Sequence, residues 1–390
     1  MPVCGLRPAG CLREGKLSVI KLFKRMPLLL RAVACALLAV LLAAACYVAY
    51  MLITYNRIPD GQVLAVENNQ NAQLEPGEEY TALSYNIGFG AYTPEFTFFM
   101  DTGEMLDGTK THGSSSWAAS KESVEACTAF DIALLQEQQP TFALLQEVDF
   151  GSTRSYGVDQ TALIAQAMPG MGSSQAVNYH SSFLFYPLTQ PHGFANSCIM
   201  TLSAAQVSSA ERRSYPVSSS LSRFFDLDRC FMVSRVPVAG GGELVLINNH
   251  MSAYDQGGVI RAQQLQMLCS VMEEEAAKGN YVIVGGDFNH ALCGSAQMYP
   301  TQQKLPSWLS TLEDSELPQG FHVVRPSNLE EVASCRDSDI PFEEGVTYQS
   351  TVDGFIVSSN VKASALTIDC GYAASDHNPV KLTFSLEERG

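Results

Sequence analysis

Residues Tyr281–His290, YVIVGGDFNH, constrain the fold more tightly than any other stretch of the chain. A short run of β-branched and aromatic residues stops at two glycines, and an Asp and an Asn follow two apart. This pattern predicts a buried strand that ends in a tight turn. It places a carboxylate and a carboxamide at the C-terminal edge of the strand. Asp287 offers acceptor-only oxygens that suit a hard cation or an activated water. Asn289 offers an acceptor and two donors that suit phosphate oxygens. A simple turn capped by Asn would read the same way, so the rest of the chain has to decide.

The chain has 390 residues, 46% of them hydrophobic, enough for a sizeable core. Its formal charge of −16 is unevenly spread. Residues 1–57 carry eight Lys and Arg against the single acid Glu14, which leaves 16 basic and 39 acidic residues beyond them, a net of −23. A domain this acidic is poorly suited to tracking a polyanion, where binding rests on Lys and Arg. It suits a divalent cation. The seven cysteines beyond residue 57 are scattered singly with no C-x-x-C pair, so the pattern is not that of a zinc site, and one or two disulfides remain open.

Residues 1–31 are basic, and 32–53 are 22 residues without a charge. At about 1.5 Å per residue this run matches a bilayer core. The positive flank predicts a single-pass signal anchor in the cell membrane, with the N-terminus cytoplasmic and the rest extracellular; a cleaved signal peptide is the alternative. Polar residues 54–77 read as a linker, and a catalytic domain is expected over 78–390. Strands are expected at 81–87, 141–146, 181–186, 197–202, 231–236, 244–249, 281–286, 321–324, 352–356 and 380–384. Helices are expected at 120–139, 159–167 and 260–278. The segment 91–120 holds Tyr92, Phe96, Phe98, Phe99 and Trp117. These could meet substrate or membrane, or form a satellite core. The sequence ALLQE occurs twice, and only the second copy follows a proline and precedes a turn, so Glu147 is the better edge carboxylate and Glu137 sits on a helix end.

Polar groups thus stand at six strand ends: Asn86; Glu147; His250; Asp287 with Asn289; Asp353; and Asp376 with His377. Any one of them is more often a turn cap than a catalyst, but six together supply the acceptors and imidazoles of metal-assisted phosphoester hydrolysis. The ordered elements LSYNIG, LLQEVD, NNHMSAYD, VGGDFNH, STVDGFIV and SDHNPV resemble the endonuclease/exonuclease/phosphatase superfamily, which has the deoxyribonuclease I-like fold. A further element, G-N-A-I-L-S, is loosely matched at Ala195–Met200. The resemblance implies an α/β fold, a four-layer α/β/β/α sandwich with two mixed sheets. It also implies roles for the residues. Glu147 would ligate Mg²⁺ (Mn²⁺ as the variant), with Asn86 beside it and Asp376 holding the metal or its water shell. Asp287 and Asn289 would orient the attacking water and hold the phosphate. His377, oriented by Asp353, would act as general base or stabilise the phosphorane, while His250 binds phosphate and assists the leaving group. Asn196 would bind substrate.

The expected partner is a phosphoester, with a lipid headgroup or a small soluble ester favoured over DNA by the charge. A nuclease is the alternative enzyme, and a noncatalytic binding module is the alternative of another class. Arg212, Arg213, Arg223 and Arg229 read as loop residues able to meet a phosphate or to stand in solvent.

Overall fold

The structure, a computed structural model, describes residues 23–24, 26–217, 228–253 and 258–388. The chain divides into two compact units, Met1–Tyr55 and Asn56–Gly390.

The first unit contains helix α1, Leu28–Thr54. Its most apolar window has a mean hydropathy of 2.5, and among the described residues it is the one helix long and apolar enough to cross a membrane. It starts four residues before the charge-free run. Pro27 suits a helix start, where no N–H is needed, and Arg31 is accommodated in the first turn by donating from Nε to Met26 O at 2.8 Å. Residues 1–22 and 25 of the expected basic segment lie outside the described residues.

The second unit is built on two mixed sheets. The strands of these two sheets, in chain order, are β1 Gln62–Leu64, β2 Glu79–Asn86, β3 Phe142–Asp149, β4 Gly172–His180, β5 Asn196–Ser203, β6 Ser209–Ser214, β7 Cys230–Pro237, β8 Glu243–His250, β9 Tyr281–Asp287, β10 Phe321–Val323, β11 Asp353–Ser358, β12 Val361–Thr367 and β13 Val380–Leu386. One sheet runs β1-β6-β7-β8-β9-β11-β10, with β8 and β9 parallel. The other runs β12-β13-β2-β3-β5-β4, with β2 and β3 parallel.

Side chains alternate along a strand, so a strand covered on both faces reads as an unbroken apolar run. In β8, Leu244 and Leu246 face the other sheet, where they meet Ala82, Leu144 and Leu382. Val245 and Ile247 face outward onto Leu268 and Met272 of helix α4, Val259–Ala277. On the second sheet, Leu83 and Tyr85 face outward toward helices α2, Lys121–Gln138, and α3, Gln160–Ala167. The result is the four-layer sandwich that the resemblance implies. α2 begins where Ser120 accepts from Ser123 N at 3.1 Å and ends at Gln139 in the left-handed region, just before Pro140. Every buried apolar cluster draws its members from Leu64 to Leu386, so the second unit carries a complete core of its own.

Three expectations are corrected. Residues 56–77 are not a free linker: β1 pairs with β6, Asn69 hydrogen-bonds Val207 through both its side-chain oxygen and nitrogen, and Leu74 is buried between the sheets. Residues 181–186 are not a strand; the strand is β4, whose sequence GSSQAVNYH is too polar to read as one. Arg212 and Arg213 are not loop residues but lie in β6. Arg212 is buried, donating to Val177 O and Asp228 O at 2.8 and 2.7 Å.

The two glycines of the central strand have separate reasons. A Cβ on Gly285 would lie 2.4 Å from the Phe355 ring and 2.7 Å from Leu144 of the facing sheet. A Cβ on Gly286, at φ +148°, would lie 1.9 Å from the carbonyl oxygen of Asn249 on the neighbouring strand. Because that second clash is with backbone, Gly286→Ala should destabilise the second unit by roughly 2–4 kcal/mol, read as a lower urea midpoint with an unchanged slope.

Candidate active site

The parallel strands deliver their C-terminal ends, and the antiparallel strands their N-terminal ends, to one side of the sandwich. Register does much of the work. His250 lies opposite Asp287, and Asp287 lies opposite Asp353. The second sheet supplies Asn86 at the end of β2, and its Nδ2 donates across the sheets to Asp287 Oδ2 at 3.1 Å. Asp376 and His377 arrive just before β13.

His377 Nδ1 donates to Asp353 Oδ2 at 2.7 Å. That same oxygen accepts from Ser334 Oγ at 2.7 Å, while Ser334 Oγ takes the backbone N–H groups of Val352 and Asp353. The carboxylate is thus held rigidly toward the imidazole. The other nitrogen, Nε2, faces Asn86 Nδ2 at 3.5 Å and Asp287 Oδ2 and Asp376 Oδ1 at 3.9 Å each. Burial opposes charge on His377, but the Asp353 carboxylate above all, with Asp376, holds its pKa well above the ordinary imidazole range. His250 goes the other way. Burial, then Arg229 and His377, push it well below that range, so it is neutral. Its Nδ1 faces Asn178 Nδ2 at 3.2 Å and Arg229 Nη1 at 2.9 Å, and Arg229 Nη1 also lies 2.8 Å from Nε2. Its Nε2 stands 3.5 Å from Asp287 Oδ2 and 3.9 Å from Glu147 Oε1.

Glu147 stands where the pairing of β3 with β5 slips a register between Leu145 and Val148, with a left-handed φ of +54°. Such a conformation costs a non-glycine residue about 1–3 kcal/mol, and bulges of this kind re-aim a side chain. Asn289 also has a positive φ, +50°. Its N–H donates to Asp287 Oδ1 at 2.8 Å and its Nδ2 to Met251 O at 2.9 Å, so its side-chain oxygen is left to face the cavity it lines.

A cavity of about 130 Å³ opens over these groups. Asn86, Glu147, His250, Asp287, Asn289, Asp376 and His377 all line it, with Asp353 buried directly behind His377. Asn196 is not among the lining residues; its neighbour Ser197 is, and Asn178 of β4 lines the cavity beside His250. Of the basic residues, Arg229 lines the cavity and Arg223 lies outside the described residues, as do Tyr254 and Asp255 of the NNHMSAYD element.

Sequence reasoning missed Arg154, Asn178 and Cys335. Arg154 is buried, paired with both Asp149 oxygens at 2.8 and 3.0 Å, and stacked on the Phe89 ring 3.8 Å away. It sits in a loop that reads only as a turn. Asn178 has the strand-end signal of the other site residues but is hidden in a polar strand. Cys335 Sγ lies 3.6 Å from His377 Nε2. Burial pushes that thiol up to about 12, so it is a neutral thiol and not a thiolate nucleophile. All seven cysteines of this unit are free thiols. The aromatic segment forms the satellite core. Tyr92, Phe96, Phe98 and Phe99 are buried with Phe89 as a satellite core, and Tyr92, Phe98 and Phe99 also line the cavity.

The donor set fits a hard divalent cation. Burial, reinforced by Asp353, pushes Asp287 up to about 7, and burial also raises Asp376. Asp353 Oδ1 is buried with no hydrogen-bond partner. Oxygen atoms this poorly compensated favour a cation. Ligand atoms of Asp287, Asp353 and His377 approach within 4.8 Å of one another, but Asp353 Oδ2 and His377 Nδ1 already engage each other. Of the carboxylates expected at the site, Glu147 and Asp376 remain to face the cavity, which Asp101 and Asp337 also line.

No family model matches the chain, and no curated protein matches it in sequence. Solved structures do. An endonuclease/exonuclease/phosphatase from Beutenbergia cavernae DSM 12333 superposes with a TM-score of 0.52 at 12% identity, over 79% of this chain and 72% of that one. A truncated TDP2 from Caenorhabditis elegans gives 0.48 at 14% identity, over 80% and 99%. An endonuclease/exonuclease/phosphatase family protein from Bacteroides thetaiotaomicron gives 0.47 at 14% identity, over 80% and 99%. The second unit therefore has the endonuclease/exonuclease/phosphatase fold.

Because Asp353 is the chief cause of the raised pKa of His377, Asp353→Asn should make the imidazole titrate at lower pH than in the parent, as followed by ¹H–¹⁵N NMR of its ring nitrogens.

Proposed function

We propose that the chain is a membrane-anchored, divalent-metal-dependent phosphoester hydrolase. The observation that carries this reading is the pairing of His377 with Asp353, its free nitrogen facing the same cavity as Asn86, Glu147, Asp287, Asn289 and Asp376.

Glu147 and Asp376 would hold the cation, Mg²⁺ by its preference for carboxylates and water, with Asn86 lining the same cavity. When bound, the cation neutralises charge on the phosphate oxygens and on the leaving group. The chain's own residues do the rest. Asp287, fixed by the amides of Asn86 and Asn289, positions the attacking water and accepts its hydrogen bond. His377, held cationic by Asp353, donates from Nε2 to a phosphoryl oxygen and stabilises the charge that develops there, while Asp287, its pKa lifted toward neutrality, takes the proton of the attacking water. His250, neutral and wedged between Asn178 and Arg229, offers a fixed hydrogen-bond donor to a phosphate oxygen. Asn289 holds a second oxygen, and the aromatic wall of Tyr92, Phe98 and Phe99 keeps bulk water from the site.

A small cavity in a domain of net charge −23 supports a small or headgroup-sized phosphoester over a nucleic acid. The length of α1, with Lys24 and Arg31 at its start, supports a bilayer anchor with the N-terminus cytoplasmic and the catalytic unit outside.

The test is hydrolysis by residues 56–390 of bis-p-nitrophenyl phosphate, p-nitrophenyl phosphate, inositol phosphates, sphingomyelin and plasmid DNA, with Mg²⁺, Mn²⁺ or EDTA. Turnover should require metal and fall by roughly 10²–10⁴-fold in His377→Ala. Glu147→Gln should raise the metal concentration needed for half-maximal rate. Turnover unaffected by EDTA, or none on any ester by folded protein, would overturn the reading; plasmid DNA as the preferred substrate would make the enzyme a nuclease.

A further inference from the structure

The finger between β4 and β5, Ser181–Phe194, has no place in the mechanism above. It is a narrow loop closed by paired backbone hydrogen bonds between Leu184 and Gly193, each 3.0 Å, with a turn at its tip where Gln190 N donates to Pro187 O at 3.2 Å. Its two edges differ. The inner edge is clamped to the aromatic segment: Ser116 N donates to Gln190 Oε1 at 3.0 Å, Trp117 Nε1 to Pro191 O at 2.8 Å, and His192 Nδ1 to Ser116 O at 3.1 Å. The outer edge is apolar and partly exposed: Phe185 (51% exposed) and Phe194 (49%) both pack on the Phe183 ring, and Leu188 (85%) stands out at the tip. Single exposed apolar residues need no explanation, but a cluster of them on one clamped loop does.

Two features identify the occupant. The finger carries no Asp, Glu, Lys or Arg, although the rest of the unit is strongly acidic. The patch is also continuous with the cavity, because Tyr186 and Leu184 line it while their neighbours Phe185 and Leu188 project outward. An uncharged aromatic-aliphatic rim, flanked by the Trp117–Tyr156 pair at 5.6 Å, has the composition of a membrane-interface contact, where amphipathic rings sit at headgroup level. The net charge of −22 over residues 56–390 would oppose an anionic bilayer and leave a zwitterionic one accessible.

We propose that the Ser181–Phe194 finger docks into the interface of a zwitterionic phospholipid bilayer and sets the mouth of the cavity against the headgroups. The docking surface is independent of the hydrolase reading. Its consequence, a lipid phosphoester as substrate, rests on that reading.

The test is flotation of residues 56–390, which lack α1, with phosphatidylcholine vesicles, beside vesicles containing phosphatidylserine. The parent should float with phosphatidylcholine and be insensitive to salt. Phe185→Ser/Leu188→Ser, which alters neither lining residue, should bind more than about tenfold more weakly, since each apolar side chain withdrawn from water contributes roughly a decade or more of partitioning. Its circular dichroism and melting temperature should match the parent. Failure of the parent to float, flotation with anionic vesicles alone, or equal flotation of the folded double variant would overturn the proposal. So would a concentration-dependent dimer in sedimentation velocity that the double variant abolishes, because a second copy would then cover the patch. None of these readouts needs turnover, so failure of the hydrolase reading would be seen separately, in the ester assays.

Discussion

The site depends on how closely the two sheets approach at the end that carries the cavity. Asn86 belongs to one sheet and Asp287 to the other, and they meet at 3.1 Å. That contact is possible because Gly285 has no side chain where Phe355 and Leu144 close in from two directions. A methyl group there would force the Phe355 ring and the Leu144 side chain to move. The interior between the sheets is otherwise filled by aliphatic and aromatic side chains, so the polar row sits at the end of an apolar slab that fixes its spacing.

With the row in place, electrostatics differentiates groups that look alike in the sequence. Two histidines stand on either side of Asp287. His377 is bonded to a carboxylate and its pKa is raised, whereas His250 is packed against a guanidinium and its pKa is lowered. The four carboxylates also divide. Asp353 is saturated on one oxygen by Ser334 and His377, Asp287 is lifted by burial and by its neighbour, and Glu147 and Asp376 remain directed at the cavity. Burial raises Asp287 and Asp376 even though Arg154, Arg229 and Arg336 line the same cavity, and this is the physical basis for assigning a cation to it.

Much of this architecture was legible in the chain. Strands covered on both faces, such as β8 and β9, read as unbroken apolar runs, and their polar terminal residues stood out for that reason. The helices read equally well, with Ser120 and Pro140 bracketing α2. What was not legible was polar or distant. β4 and β6 read as loops because strands near a sheet edge can carry Ser, Gln, Glu and Arg, and Asn178 was lost with β4. Segment 56–77 looked like a linker because its contribution to the core is only Leu74 with the partly buried Leu64 and Val66, set among polar residues. Arg154 and Cys335 lie in turns with no periodic signal, and only folding brings them to the cavity. Asn196 matched a motif position, but the described cavity is lined by Ser197 and Asn178 instead.

By itself the sequence determined that one charge-free run is long enough for a bilayer, that an acidic domain follows, and that six apolar strands end in metal- and phosphate-compatible groups. These are local properties, set by side-chain periodicity and by the residues that stop it. Only the tertiary structure decided which of those ends converge, because register and sheet packing are long-range. It set His250, Asp287 and Asp353 in one row, brought His377 to Asp353 across 24 positions of chain, and turned the uncharged finger outward beside the cavity mouth. Protonation was decided there too, because burial and neighbouring charges, which no sequence displays, govern it.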